Sequence, residues 1–192
     1  MTDLQKNQIR TATADGYTAE GAGVFHIDGR AVFVPGALSG ETWRVRIVRL
    51  SSSAVYGRGE ELLSPSPERI APDCSAFPRC GGCALRHMSY KEELDMKRRR
   101  VNDALRRIGG LDFAVDSIVP AGEDAMQRRK VIFNIGARDG KPMGGFFRAR
   151  SHDIVPLGGC PAVPEASLRA LAAVLAWMEA EGVSAYDEQL TF

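Results

Sequence analysis

Gly23-Val24-Phe25-His26-Ile27-Asp28-Gly29-Arg30-Ala31-Val32-Phe33-Val34 reads as two short strands folded back on one another. Asp-Gly between two strand-forming runs is a hairpin signal, because the tight turn needs positive φ, which Gly adopts freely and Asp tolerates. Pro35-Gly36 ends the second run. Trp43, Val45 and Ile47 then alternate with Arg44 and Arg46, the period of a strand with one buried face and one basic, solvated face. Residues 8–14 and 53–63 are also strand-like, which gives five short strands in the first 63 residues. Closing them into a small antiparallel barrel hides edges that would otherwise stay unpaired.

Beyond this barrel, Ser64-Pro65-Ser66-Pro67 marks a boundary between a domain of residues 1–63 and a second of residues 64–192. Ser89-Tyr90-Lys91-Glu92 has the form of a capping box. The helix it opens should run to Ile108, where Gly109-Gly110 can stop it. Leu94, Val101, Leu105 and Ile108 share one face of that helix, and Lys97-Arg98-Arg99-Arg100 wrap round the other. Residues 113–119, 129–137, 143–149 and 152–157 are expected as strands. Residues 165–181 are expected as a helix, with Leu168, Leu171, Ala172, Leu175 and Met178 at helical spacing and Gly182 at its end. The expected fold class is therefore α+β: a barrel, then an α+β domain.

Hydrophobic residues make up 44% of the 192 and charged residues 26%, the composition of a folded globular chain. No apolar run approaches the ~18 residues of a membrane helix, and the N-terminus lacks a signal-peptide core. A cytoplasmic protein with no membrane partner and no obligate protein partner is expected. The net charge of +1 hides a strong asymmetry. Residues 74–110 carry nine Lys/Arg against four acids, residues 126–150 seven against one, and residues 160–192 one against five. Clustered positive charge of this kind suits phosphate binding, although a solvated basic surface is the commoner reason for it.

All four cysteines follow residue 73: Cys74, Cys80-Gly81-Gly82-Cys83, and the distant Cys160. Thiolates favour soft metals, and clustered cysteines in a cytosolic chain point to a metal before disulfides. Gly81-Gly82 would let the backbone wrap closely round a centre. From the residues alone three readings stay open: an iron–sulfur cluster, a zinc site in which His87 could join Cys80 and Cys83, and buried free thiols.

The basic segments carry similar alternatives. Lys97 and Arg98 could contact phosphate, or the helix could pair its charges internally through Glu93–Lys97 and Asp95–Arg99 at i,i+4. Gln127-Arg128-Arg129-Lys130 should open a strand with Arg128 and Lys130 on one face. Phe146 and Phe147 beside Arg148 and Arg150 suit base stacking next to phosphate, or a core. His26, His87 and His152 are scattered and receive no chemical role.

Taken in order, these segments resemble the RNA uracil-C5 methyltransferases that carry a TRAM domain and an iron–sulfur cluster. The resemblance runs through Gly21-Ala22-Gly23-Val24, Val32-Phe33-Val34-Pro35-Gly36, the Cys74 to His87 motif, Arg128-Arg129-Lys130-Val131-Ile132-Phe133, Gly145-Phe146-Phe147, Ser151-His152-Asp153-Ile154-Val155 and Cys160. It implies that the barrel is a TRAM module, an OB-like RNA-binding fold. It implies that Cys74, Cys80, Cys83 and Cys160 hold a 4Fe-4S cluster. It further implies RNA contacts from Arg128, Arg129, Lys130, Phe146, Phe147, Arg148, Lys97 and Arg98. The family transfers a methyl group from S-adenosylmethionine to C5 of uracil through a cysteine thiolate that adds to C6. The expected RNA partner is large-subunit (23S) ribosomal RNA. The catalytic cysteine and the cofactor domain are expected after the region where this chain stops, so the 192-residue chain reads as a fragment, inactive alone. A stand-alone RNA-binding module is the competing reading, and a zinc-dependent binding protein a third.

Overall fold

The computed structural model describes residues 4–122 and 128–186; Gln127 and the terminal Thr191-Phe192 lie outside them. The chain forms two compact units, Met1–Ala71 with Ala84–Pro120, and Pro72–Cys83 with Ala121–Phe192. The sequence boundary at residue 64 does not divide them. The chain leaves the first unit to build the cysteine loop, then returns to it with the following helix.

In the first unit, β1 (Ile9–Tyr17), β2 (Gly23–Ile27), β3 (Arg30–Val34), β4 (Thr42–Leu50) and β5 (Val55–Ser64) close a barrel in the order β1-β2-β3-β5-β4. Asp28 and Gly29 both have positive φ, 49° and 77°, as the hairpin requires. Four seams are antiparallel, but β3 and β5 pair in parallel, so the barrel is not antiparallel throughout. Two chain reversals separate β3 from β5, and the strand that closes the barrel must then run the same way as β3. Phe25, Val32, Val34, Val45, Ile47 and Val55 fill the interior, each 1% exposed or less. Burying each such side chain stabilises the fold by roughly 1.5–3 kcal/mol. A Cβ at Gly57 would lie 2.5 Å from Val45 Cγ1, so this filled interior needs glycine there.

One carboxylate is fully enclosed. Glu41 accepts hydrogen bonds from the Leu38 and Ser66 amides, the Trp43 indole and the Arg69 guanidinium. Burial by itself would raise its pKa; the bonds from Arg69 and the other donors outweigh that and hold it below the usual carboxylate range. Arg69 also donates to the Gly36 carbonyl at 2.7 Å and lies over the Trp43 ring. This network ties the chain beyond β5 to the barrel wall.

Helix α1 (Tyr90–Arg107) belongs to the same unit. Ser89 caps it by accepting from the Glu92 amide, with Glu92 and Glu93 in the first turn where they favour the helix dipole. The shared apolar face is only partly covered, with Leu94 and Leu105 half-buried. Val101 is 48% exposed and Ile108 88%, and Met96 is the buried residue, packed near Leu38 and Met88. The expected strand at 113–119 is also absent, because the Asn102 side chain takes both the amide and the carbonyl of Val115. Those groups would otherwise serve a sheet.

The second unit has a three-stranded sheet, β6 (Asn134–Arg138), β7 (Lys141–Phe147) and β8 (Ile154–Pro156), with helix α2 (Glu165–Ala180). Asp139 and Gly140 turn β6 into β7 with positive φ at both. Leu171 of α2 packs against Gly144, where a Cβ would lie 2.6 Å from Leu171 Cδ1. Leu171 and Met178 are buried, Leu168 and Leu175 half-buried, and Ala172 exposed.

Candidate functional site

The cysteine loop is assembled by backbone contacts to the end of β7. Phe77 and Cys80 amides donate to the Cys74 and Ala76 carbonyls, winding residues 74–80 into turns. The Gly81 amide then donates to the Phe147 carbonyl at 2.9 Å, and Cys80 forms a β-bridge with Arg148. A Cβ at Gly81 would lie 2.8 Å from Phe147 O, so only glycine permits this approach. The Gly82 amide points at Cys80 Sγ, 3.4 Å away.

Arg128 connects this loop to the segment bearing Cys160. Its amide donates to the Ala162 carbonyl, its guanidinium donates to the Gly82 carbonyl, and its charge lies 5.3 Å above the Phe146 ring. The expectation that Arg128 and Lys130 project from a strand is therefore corrected: residues 128–133 precede β6, which begins at Asn134. The physical reason is on the β7 edge. Past Gly145, the side of β7 that β6 pairs with is taken by Gly81 of the cysteine loop. Arg128 is spent on holding loops, while Arg129 and Lys130 are exposed and have no carboxylate partner among the described residues.

The two phenylalanines separate. Phe146 is buried and stacked on Phe133 at 5.9 Å, so it is core. Phe147 is 37% exposed and stacks on His152 at 5.1 Å. On α1 the internal pairing takes the charge. Lys97 pairs with Glu93, Arg98 with Asp95, and Arg99 with both Glu92 and Asp95. Arg106 and Arg107 share Asp103. The expectation that Lys97 and Arg98 stand ready for phosphate meets this neutralisation.

All four cysteines belong to the second unit, each is half-buried, and none forms a disulfide. Their chemistry suits a soft metal centre, and Arg128 hydrogen-bonds both Gly82, beside Cys83, and Ala162, two residues past Cys160. Among the described residues, however, no three Cys, His, Asp or Glu side chains are grouped closely enough to share a metal ion. His87 is buried in the first unit, where burial and neighbouring Arg69 depress its pKa. No described helix is long and apolar enough to cross a membrane.

Sequence reasoning missed the part played by Arg79, Arg138 and His152. Together with Arg148 they line a cavity of about 810 Å³ in the second unit. Arg79 adjoins Cys80 and Arg138 follows the β6 alternation, but nothing in their spacing brings them together.

The proteins this chain is similar to, curated and solved, are RNA methyltransferases. A crystal structure of Pyrococcus abyssi tRNA (uracil-54, C5)-methyltransferase in complex with S-adenosyl-L-homocysteine matches 92% of this chain, and 38% of its own, with TM-score 0.60 at 24% identity. Uncharacterized RNA methyltransferases of Clostridium tetani and Halalkalibacterium halodurans are 36% and 33% identical over 97% of the chain. No protein-family model matches. The chain is thus a homologue of RNA methyltransferases along nearly all its length, and spans about 40% of the length of the curated relatives it matches.

Proposed function

We propose that this chain is the RNA-binding, iron–sulfur part of an S-adenosylmethionine-dependent RNA uracil-C5 methyltransferase, acting on large-subunit ribosomal RNA. The observation that carries the reading is similarity to RNA methyltransferases over 97% of this chain, joined to exposed cations of the second unit that have no carboxylate partner among the described residues. The Pyrococcus abyssi neighbour, described as a tRNA uracil-C5 enzyme bound to S-adenosyl-L-homocysteine, supports uracil in RNA as the target class and the methyl donor. The barrel is read as a TRAM-type module. The methyl transfer itself is proposed for a protein of the relatives' full length.

Cys74, Cys80, Cys83 and Cys160 are the proposed ligands of a 4Fe-4S cluster, which when bound would supply a rigid inorganic cross-link between two stretches of chain. The chain's own residues prepare that link. Gly81 lets the loop lie against β7, Gly82 turns an N–H toward Cys80 Sγ, and Arg128 holds Gly82 and Ala162 together. Arg129, Lys130, Phe147 and Arg148 form the proposed RNA-facing side, with Phe147 available to stack on an unpaired base.

Anaerobic purification and reconstitution with ferrous salt and sulfide tests the cluster. The expected material is brown, with iron and acid-labile sulfide in equal amounts. Colourless protein with zinc, or with neither iron nor sulfide, contradicts the assignment. Binding of a labelled oligouridylate, weakening as salt rises, tests the RNA reading.

A further inference from the structure

We infer that the cavity lined by Arg79, Arg138, Arg148 and His152 is a seat for the phosphodiester backbone of the bound RNA, a site formed between the cysteine loop and the sheet. The inference rests on the RNA-binding reading above and goes further by assigning a place and residues. Arg79 comes from the cysteine loop, Arg138 from the end of β6, and Arg148 and His152 from the connection between β7 and β8. None of the three arginines has a carboxylate partner among the described residues, although 24 acids are present in the chain. Every cation of the Lys97 to Arg99 run, by contrast, has at least one such partner. Three guanidinium groups around one opening repel each other unless an anion joins them, and a guanidinium matches phosphate oxygens in a bidentate manner.

The framework is fixed by hydrogen bonds. The Arg148 amide donates to the Asp153 carbonyl at 2.8 Å, Ser151 bonds back to Arg148, and the Asp153 amide donates to Ser151 Oγ at 2.9 Å. This closes the turn and holds Arg148 and Asp153 at the rim. Arg150 completes it with φ of 59°. His152 is held by its stack on Phe147. Asp153 is the one acid in the lining, so three guanidinium groups against one carboxylate leave the site net positive. A volume of about 810 Å³ exceeds the need of a single inorganic phosphate and accommodates a nucleotide-sized stretch of chain.

The test measures oligouridylate binding across a salt series for the unaltered chain, an Arg79→Gln/Arg138→Gln/Arg148→Gln variant, and the corresponding triple Lys variant. Circular dichroism checks that each is folded. The Gln variant should bind about tenfold more weakly and lose about two from the log–log salt slope, at roughly 0.7 per phosphate on single strands. The Lys variant should keep the slope and lose affinity, because lysine retains charge without the bidentate fork. An unchanged slope in a folded Gln variant overturns this inference alone. No oligouridylate binding by the unaltered chain overturns the RNA reading as well. A third arm adds inorganic phosphate: saturable phosphate binding that the Gln variant loses, with RNA binding unaffected, would assign the cavity to a free anion and overturn the RNA seat. If the Gln variant does not fold, Arg138→Gln alone, at an exposed strand end, should lower the slope by about 0.7; no change there overturns the inference.

Discussion

The two basic regions of this molecule look alike in sequence and differ in how their charge is used. On α1, Lys97, Arg98 and Arg99 are each matched by a carboxylate one or two turns away. The barrel wall repeats this pattern: Arg44 pairs with Glu61, and Arg46 and Arg58 share Glu60, whose pKa they draw down to about 2. In the second unit Arg79, Arg129, Lys130, Arg138 and Arg148 have no such partner among the described residues. The lesson is that a run of cations indicates a ligand only when the fold leaves it unmatched. The α1 run Lys97 to Arg99 and the barrel-wall arginines are matched within the first unit, although Arg30, Arg49 and Arg100 there bond only to backbone or a ring. The second unit pairs Lys141 and Arg169 but leaves Arg79, Arg129, Lys130, Arg138 and Arg148 unmatched among the described residues.

The largest expected effect breaks the comparison on the second side. On the proposed ligand set, Cys80→Ser should abolish the visible absorbance and iron of reconstituted protein and loosen amide-exchange protection around residues 74–83 and 141–147, because the proposed ligand and its clamp are lost. Protection in β2 and β3 should be unchanged; full iron content in this variant would remove Cys80 from the ligand set. On the first side, Phe25→Ala should cost about 3–5 kcal/mol in urea unfolding, since Phe25 is fully buried in the barrel. A cost under about 1 kcal/mol would mean that the barrel interior is not the core.

Glu41→Gln should cost about 3 kcal/mol, because it leaves Arg69 without its buried counter-charge. The pH dependence has a definite sign. The folded pKa of Glu41 lies below its unfolded value, so its contribution is present above the ordinary carboxylate range and is lost as pH falls through the folded value. Stability should fall on acidification below about pH 4 in the unaltered chain, and less steeply in the Gln variant. Parallel acid curves for the two would remove Glu41 from this role. The smallest effect belongs to Lys97→Gln with Arg98→Gln. Exposed helical pairs are worth about 0.3–0.5 kcal/mol each, and thermal unfolding should shift by no more than that implies.

Local signals in the sequence were legible. The Asp28-Gly29 hairpin, the Ser89 cap and the Glu93–Lys97 and Asp95–Arg99 pairs all stand where short-range chemistry puts them. What could not be read was competition at a distance. Residues 113–119 read as a strand in sequence, but Asn102 satisfies Val115 from the helix. Residues 129–133 have strand composition, yet Gly81, about fifty positions earlier in the chain, occupies the β7 edge. The hydrogen bonds of Arg128 to Gly82 and Ala162 could not be read, because neither residue is near it in sequence. The cysteine spacing raises the expectation of a metal centre, but the cavity beside the loop arises only when the loop and the sheet meet.

The most direct test of this contrast is the salt dependence of oligouridylate binding measured side by side for Lys97→Gln/Arg98→Gln and Arg129→Gln/Lys130→Gln. The first pair should leave the log–log slope within error of the unaltered chain, while the second should lower it by about 1.4, two single-strand phosphates' worth. Equal loss of slope in both variants, or loss in the α1 pair alone, would contradict the contrast.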